Sequence, residues 1–238
     1  MDTTTETIRP FTIDIPQADL DDLHERLRRT RAASPLPDDS RAVGVPRAHL
    51  DRLVAAWLDL DWRAVEDRLN AFDHVTTDIG GQTIHAVHAR SPHEGATPLV
   101  ITHGWPGSFL EHLGLVERLT RPELHGGSAA DAFHVVIPSL PGFAFSTPLS
   151  PDADVSTRGI ARMLADLMTR LGYDRFVAQG GDLGAGVAPE LGRVAPERVI
   201  GVHVNGALGA FVTSEQADEL GELSDLERDR IARVEAFM

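Results

Sequence analysis

The sequence contains no cysteine and only one tyrosine, Tyr173, in 238 residues. The absence of cysteine excludes disulfide bonds and thiolate metal ligands. It is also compatible with a reducing compartment, and we expect a cytoplasmic protein. Long apolar runs are missing as well, because the first ten residues are polar and the most apolar later stretch, residues 199–212, is interrupted by His203 and Asn205. We therefore expect neither a signal peptide nor a membrane anchor.

Basic residues are in the minority, with 22 Lys and Arg against 36 Asp and Glu, which gives a formal net charge of −14. Such a surface repels phosphate backbones and anionic lipids, so nucleic acid and membranes are not expected as partners. A neutral, apolar substrate would not be repelled. The 42% hydrophobic content is enough for one full-sized core. The sequence leaves open whether the chain forms a homo-oligomer.

Three zones differ in their hydrophobic pattern. Residues 1–74 carry apolar side chains at helical spacing between proline-rich breaks, which predicts a helical meander. Residues 75–212 alternate between strand and helix patterns. Residues 213–238 are acidic and helical, and Ser224 with Glu227 forms a capping-box signature.

The alternation in the second zone predicts an α/β fold. Gly80 and Gly81 separate two strand patterns, residues 75–78 and 82–89, as in a β-hairpin. Strand patterns then follow at residues 99–102, 133–137, 176–178 and 199–204, with helical patterns between them. One of these helices is expected to begin at Ser108, whose hydroxyl can pair with Glu111 in a capping box. This order predicts a mostly parallel sheet with helices on both faces, and it places reactive loops at the carboxyl ends of the strands.

The most informative segment is residues 179–185, because Asp182 lies between a strand and a helix with Gly180 and Gly184 two positions to either side. This spacing is that of a nucleophile elbow, a tight turn that presents one side chain above the sheet. A carboxylate in that place can attack a saturated carbon and form an ester, and the positive end of the following helix favours its ionised form. The alternative is that Asp182 only caps the helix.

Two further loops follow apolar strands: residues 103–108, which read His-Gly-Trp-Pro-Gly-Ser, and residues 138–143, which read Pro-Ser-Leu-Pro-Gly-Phe. Together with the elbow they resemble epoxide hydrolases of the microsomal type, which have the α/β-hydrolase fold. The helical N-terminal region is similar to that family's as well, so that the resemblance covers essentially the whole chain.

The resemblance implies a reaction and a set of site residues. Asp182 would open an epoxide, and the resulting ester would be hydrolysed to a vicinal diol without cofactor or metal. The backbone N–H groups of Trp105 and Leu183 would stabilise the oxygen charge that develops during ester cleavage. The loop residues implied to line the binding site of a small apolar epoxide are His103, Gly104, Pro106 and Phe143. Of these, we expect His103 to fix the turn by hydrogen bonds and not to act as the base.

This sequence departs from the family's pattern in three places. Leu183 stands where the family commonly has tryptophan, and Pro189 falls inside the helix after the elbow, where it should produce a kink. The family also places two lid tyrosines, a charge-relay acid and a histidine base after the region where this chain ends. We therefore expect the C-terminal part of the fold to be absent from this stretch and residues 213–238 to begin the lid.

The other histidines and the tyrosine do not fill those roles. Tyr173 lies just before a strand, away from any lid, and His203 is read as a core or pocket-wall residue. His85 and His88 are three positions apart on a strand, so they face opposite sides and form no joint metal site.

Two alternatives remain open. A haloalkane dehalogenase also uses an aspartate elbow, although Leu183 has no side-chain N–H to hold a halide. A non-catalytic binding module would keep the pocket without turnover.

Overall fold

A computed structural model describes residues 7–34, 44–206 and 222–237, and side chains as far as residue 233. The chain divides into two compact units, Phe11–Phe72 and the combination of Met1–Pro10 with Asp73–Met238. The predicted boundaries of the three zones stay predictions. Within the described residues, no helix has both the length and the apolar character required to cross a membrane.

The smaller unit is helical, as predicted, with helices α1 (Gln17–Arg28), α2 (Arg47–Leu58) and α3 (Trp62–Leu69). Pro16 and Pro46 precede α1 and α2, where a missing N–H costs no helical hydrogen bond. The Asp61 side chain caps α3 by accepting a hydrogen bond from the Ala64 N–H at 3.1 Å. Much of the proline-rich loop predicted between α1 and α2, at residues 35–43, lies outside the described residues.

The larger unit is built on a sheet whose described part has seven strands in the order β1-β2-β3-β5-β4-β6-β7. Their bounds are β1 Arg9–Phe11, β2 His74–Ile79, β3 Gln82–Ala89, β4 Thr97–Thr102, β5 Phe133–Pro138, β6 Phe176–Gly181 and β7 Val199–Asn205. The sequence pattern missed β1, a three-residue edge strand. The other six coincide with the predicted strands to within a few residues.

The pairing confirms the predicted mostly parallel sheet. Strands β2 and β3 form the antiparallel hairpin, and its turn residues Gly80 and Gly81 have φ of +58° and +81°. Strand β3 is antiparallel to β5, whereas β5, β4, β6 and β7 are mutually parallel. The carboxyl ends of β4, β5 and β6 therefore lie at the same edge, where the three predicted loops begin.

Alternate strand residues face opposite layers of helix. Val100, Val136 and Ala178 belong to the main buried cluster together with α5 (Thr157–Arg170) and α6 (Leu183–Val194). Their neighbours on the other face, such as Val135 and Ile137, are also fully buried. That face is covered by a 3-10 helix at Phe109–Leu115 and the short α4 (Val116–Thr120), both of which contact β5. Helices thus lie on both faces, as predicted.

The helix ends agree with the sequence prediction in some places and differ from it in others. The helix expected from Ser108 begins as a 3-10 helix, and the Ser108 hydroxyl accepts a hydrogen bond from the Leu110 N–H rather than pairing with Glu111 as a capping box. The capping box predicted at Ser224 and Glu227 is present, ahead of α7 (Asp225–Phe237). Helix α6 continues through Pro189 without interruption. Residues 207–221 lie outside the described residues.

Candidate active site

Asp182 lies in a strained turn between β6 and α6. Its backbone has φ +53° and ψ −119°, a conformation that residues other than glycine rarely adopt. The carboxylate is exposed at the carboxyl edge of the sheet. It accepts no hydrogen bond from the second or third residue of α6, as a capping side chain would, so that the side chain is not used as a helix cap. The turn therefore has the geometry of a nucleophile elbow.

The glycines around the turn are required by close backbone contacts. A Cβ at Gly184 would lie 2.6 Å from the Thr102 hydroxyl oxygen and would strike the Thr102 carbonyl. A Cβ at Gly180 would meet the Gly184 carbonyl and the same hydroxyl. The tightness of this turn therefore depends on the absence of a side chain at both positions.

Thr102, the last residue of β4, fixes the elbow from the neighbouring strand, and the sequence reading did not single it out. Its buried hydroxyl donates to the Gln179 carbonyl at 2.9 Å. A threonine at the end of a β-branched run looks like any other strand residue. The one sequence signal was its place directly before the His103 loop.

The loop after β4 approaches Asp182 from the other side. The Trp105 N–H donates to Oδ1 of Asp182 at 2.8 Å. A Cβ at Gly104 would lie 2.7 Å from that same oxygen, which explains why glycine precedes Trp105. Trp105 and Leu183, whose backbone N–H groups interact with the carboxylate, are both exposed apolar residues.

These backbone donors determine the charge state of the carboxylate. Hydrogen bonding from the Trp105 N–H, and after it from the Leu183 N–H, lowers the pKa of Asp182 below its ordinary value, although desolvation opposes the shift. The sequence prediction named these same two N–H groups as the oxyanion donors. In the structure they lie around the Asp182 carboxylate before any ester is formed.

The remaining loop residues predicted for the site differ from one another in burial. His103 is buried, and its ring contacts the Phe143 ring edge-on at 5.2 Å between centroids. Phe143 is half-buried and packs against the main core, whereas Pro106 is exposed. Phe145, two residues after Phe143 in the same loop, contacts the rings of His85 and Phe109.

The side chains that the sequence reading set aside are not brought to Asp182. Tyr173 hydrogen-bonds to Nε2 of His88 at 2.7 Å, while His85 hydrogen-bonds to His74 at 2.9 Å on the opposite face of the sheet. His203 lies exposed on β7. In the part of the chain that the structure describes, no histidine hydrogen-bonds to Asp182, and no three His, Cys, Asp or Glu side chains are placed to hold a metal ion.

Two family models match the chain. The model described as the N terminus of epoxide hydrolases matches residues 8–112. The model described as the alpha/beta hydrolase fold matches residues 97–237. Between them they include all three loops at the carboxyl edge of the sheet.

Individual relatives and solved structures agree with these matches. The chain is 45% identical to a predicted epoxide hydrolase of Stigmatella aurantiaca over 97% of this chain and 51% of that protein. It is 38% identical to epoxide hydrolase 1 of Oryctolagus cuniculus over 85% of this chain and 46% of that protein. The structure of Aspergillus niger epoxide hydrolase superposes with a TM-score of 0.75 at 34% identity, over 99% of this chain and 61% of that one. The chain thus spans about half the length of the curated relatives that it matches.

Proposed function

We propose that this chain, which belongs to the alpha/beta hydrolase fold family, carries the nucleophile of an epoxide hydrolase and that Asp182 is that nucleophile. The observation that carries the proposal is the Asp182 side chain itself. It is exposed at a strained elbow, it does not cap α6, and it accepts a backbone hydrogen bond from Trp105. The relatives named as epoxide hydrolases support the same chemistry.

The first step is ring opening. A carboxylate oxygen of Asp182 forms a bond to one epoxide carbon while the bond from that carbon to the ring oxygen breaks. The ring oxygen stays attached to the other carbon as an alkoxide and takes up a proton, so that the product is a hydroxyalkyl ester on Asp182. The lowered pKa of Asp182 keeps this group ionised, and hence nucleophilic, at neutral pH.

The second step is hydrolysis of that ester. Water adds to the ester carbonyl of Asp182, and the negative charge that develops on the carbonyl oxygen is stabilised by the N–H groups of Trp105 and Leu183. Collapse of the intermediate releases the vicinal diol and restores the carboxylate. We assign neither the proton donor of the first step nor the base of the second to a described residue.

The substrate that fits this site is a neutral, apolar epoxide. Trp105 and Leu183, whose backbone N–H groups interact with the Asp182 carboxylate, are exposed apolar residues, and such residues favour contact with an apolar substituent. The net charge of −14 does not disfavour a neutral molecule.

Labelling of the protein tests the proposal directly. The 238-residue chain is incubated with styrene oxide and studied by intact-mass spectrometry and peptide mapping. We expect a single epoxide addition, located on Asp182, because an ester that is not hydrolysed remains attached. A diol assay on the same sample shows whether turnover follows.

Two variants make the test specific. Asp182→Ala should abolish the adduct and any diol formation. Asp152→Ala, which removes another exposed carboxylate, should be labelled like the parent. Labelling of the Asp182→Ala protein at the parental rate would refute the assignment of the nucleophile.

A further inference from the structure

His103 is held between two loops at the carboxyl edge of the sheet. It is 1% exposed. Its Nε2 accepts a hydrogen bond from the Leu140 N–H at 3.1 Å, in the loop after β5. Its Nδ1 lies 3.0 Å from the carbonyl oxygen of Gly104, the next residue in its own loop.

These two partners determine the tautomer of the ring. A backbone N–H can only donate, so Nε2 must be unprotonated. A backbone carbonyl can only accept, so Nδ1 must carry the proton. Burial lowers the pKa of His103, although the Gly104 carbonyl and the charge of Glu111 act in the opposite direction. The ring is therefore neutral and protonated at Nδ1.

The carbonyl that His103 holds belongs to the same peptide unit as the N–H that contacts the nucleophile. In a trans peptide the C=O and the N–H point in opposite directions, and the bond between Gly104 and Trp105 is trans. The Gly104 carbonyl points to His103, and the Trp105 N–H points to Oδ1 of Asp182. One rigid plane thus connects the imidazole to the carboxylate.

We propose that His103 is a positioning residue that orients the Gly104–Trp105 peptide, so that the Trp105 N–H points at the Asp182 carboxylate. The inference deepens the proposed function, since its value for catalysis rests on Asp182 being the nucleophile. His103 itself transfers no proton and touches no substrate. Without the His103 side chain, the Gly104–Trp105 peptide is free to rotate. The Trp105 N–H is then lost as a hydrogen-bond donor in both ring opening and ester hydrolysis.

The experiment reads out the charge state of Asp182 and needs no turnover. The Asp182 carboxyl is titrated by carbon-13 NMR in the 238-residue chain, and the Trp105 amide is followed by nitrogen-15 NMR. In His103→Ala we expect the pKa of Asp182 to rise by about 0.5 to 1 pH unit, which corresponds to the loss of one backbone hydrogen bond. The Trp105 amide resonance should move upfield.

Two conservative variants separate the two ends of the imidazole. His103→Asn places an amide N–H near the position of Nδ1, so it can still hold the Gly104 carbonyl, and we expect the pKa of Asp182 to stay near the parental value. His103→Gln places an oxygen near the position of Nε2, so it can still accept from Leu140 but does not hold Gly104. We expect it to behave like His103→Ala. If His103→Ala does not fold, this pair carries the test.

His134→Ala is the matched control. His134 also accepts a backbone hydrogen bond, from the Ser91 N–H at 3.0 Å, but it lies at the amino end of β5. Its loss should lower stability without moving the pKa of Asp182. An unchanged Asp182 pKa and Trp105 resonance in the His103→Ala and His103→Gln proteins would overturn the inference. Failure of styrene oxide to label the parent would refute the proposed function but would leave this result standing.

Discussion

Leu183 distinguishes the proposed function from the haloalkane dehalogenase alternative. It directly follows Asp182 in the sequence and is 43% exposed. An isobutyl group offers no N–H donor to a departing halide, whereas an epoxide oxygen stays attached to the substrate and needs a proton instead. At the scale of this one residue, Leu183 is compatible with the proposed epoxide opening and lacks the donor that halide release would need.

We expect the chain to release no halide from 1-bromobutane under conditions in which styrene oxide labels Asp182. Ion chromatography of the supernatant measures the halide. Leu183→Trp, which supplies an indole N–H, serves as the comparison variant. Halide release by the parent protein that is comparable to epoxide labelling would favour a haloalkane dehalogenase instead.

Residue-level reasoning from the sequence predicted the turn at Asp182 and the loop that approaches it, because the elbow and the loop after β4 have local glycine patterns. The roles of Asp182 and of its two backbone donors stay predictions. The same reasoning did not identify the partner of Thr102 or the residue that anchors His103. The Thr102 hydroxyl donates to the carbonyl of Gln179, which is 77 positions away, and His103 accepts a hydrogen bond from the N–H of Leu140, 37 positions away. Contacts of that separation depend on how the strands are ordered in the sheet, which no local pattern encodes.

At the scale of the element, two of the three glycines in helix α6 are in opposite situations. A Cβ at Gly184 would strike the Thr102 backbone, whereas a Cβ at Gly192 would only touch Cγ2 of Val202 at an ordinary 3.5 Å. Alanine is favoured over glycine in a helix by about 1 kcal/mol at either position. The difference between the effects of alanine at these two sites on the free energy of unfolding therefore measures the cost of a side chain at the close approach in the elbow.

We expect Gly192→Ala to raise the free energy of unfolding by up to about 1 kcal/mol. Gly184→Ala should lower it by about 1 to 3 kcal/mol, because overpacking displaces backbone that cannot move away easily. Urea unfolding followed by circular dichroism measures both. Equal effects of the two substitutions would show that the elbow tolerates a side chain.

The prediction of elements from sequence succeeded where a period or a turn residue was present. Strand β3 was predicted with its observed bounds because Gly80–Gly81 marks its start. Strand β1 has three residues, one of them Pro10, and is too short to show alternation. The 3-10 helix after Ser108 could not be distinguished from an α-helix, because both begin with the same capping residues.

At the scale of the whole molecule, buried histidines couple stability to pH. Burial lowers the pKa of His85 to about 3, with the charge of His74 as the second cause. Burial also lowers the pKa of His88 to about 4, with the charge of Arg90 next. An unfolded histidine titrates near 6.5, so that between about pH 6.5 and 4 only the unfolded chain binds these two protons. The contribution of these two histidines to the free energy of unfolding is fully present above pH 6.5 and is lost as the pH is lowered.

We expect the free energy of unfolding to decrease by about 1.4 kcal/mol per pH unit for each of the two histidines once the pH is below 6. Urea unfolding at pH 7, 6 and 5 measures this slope. The double variant with His85→Gln and His88→Gln should have a smaller slope, whatever its stability at pH 7. A slope identical to that of the parent protein would mean that both rings are protonated in the folded state.

The backbone of Asp182 has a consequence for the engineering of this protein. A residue other than glycine at φ +53° and ψ −119° stores about 1 to 3 kcal/mol of strain. Glycine adopts this conformation without strain, and only part of that gain is lost to the greater entropy of the unfolded chain. A library selected for thermal tolerance alone should therefore accumulate glycine at position 182. Each round of such selection would favour clones that lack the proposed nucleophile, so that a screen for heat resistance has to be paired with one for chemistry.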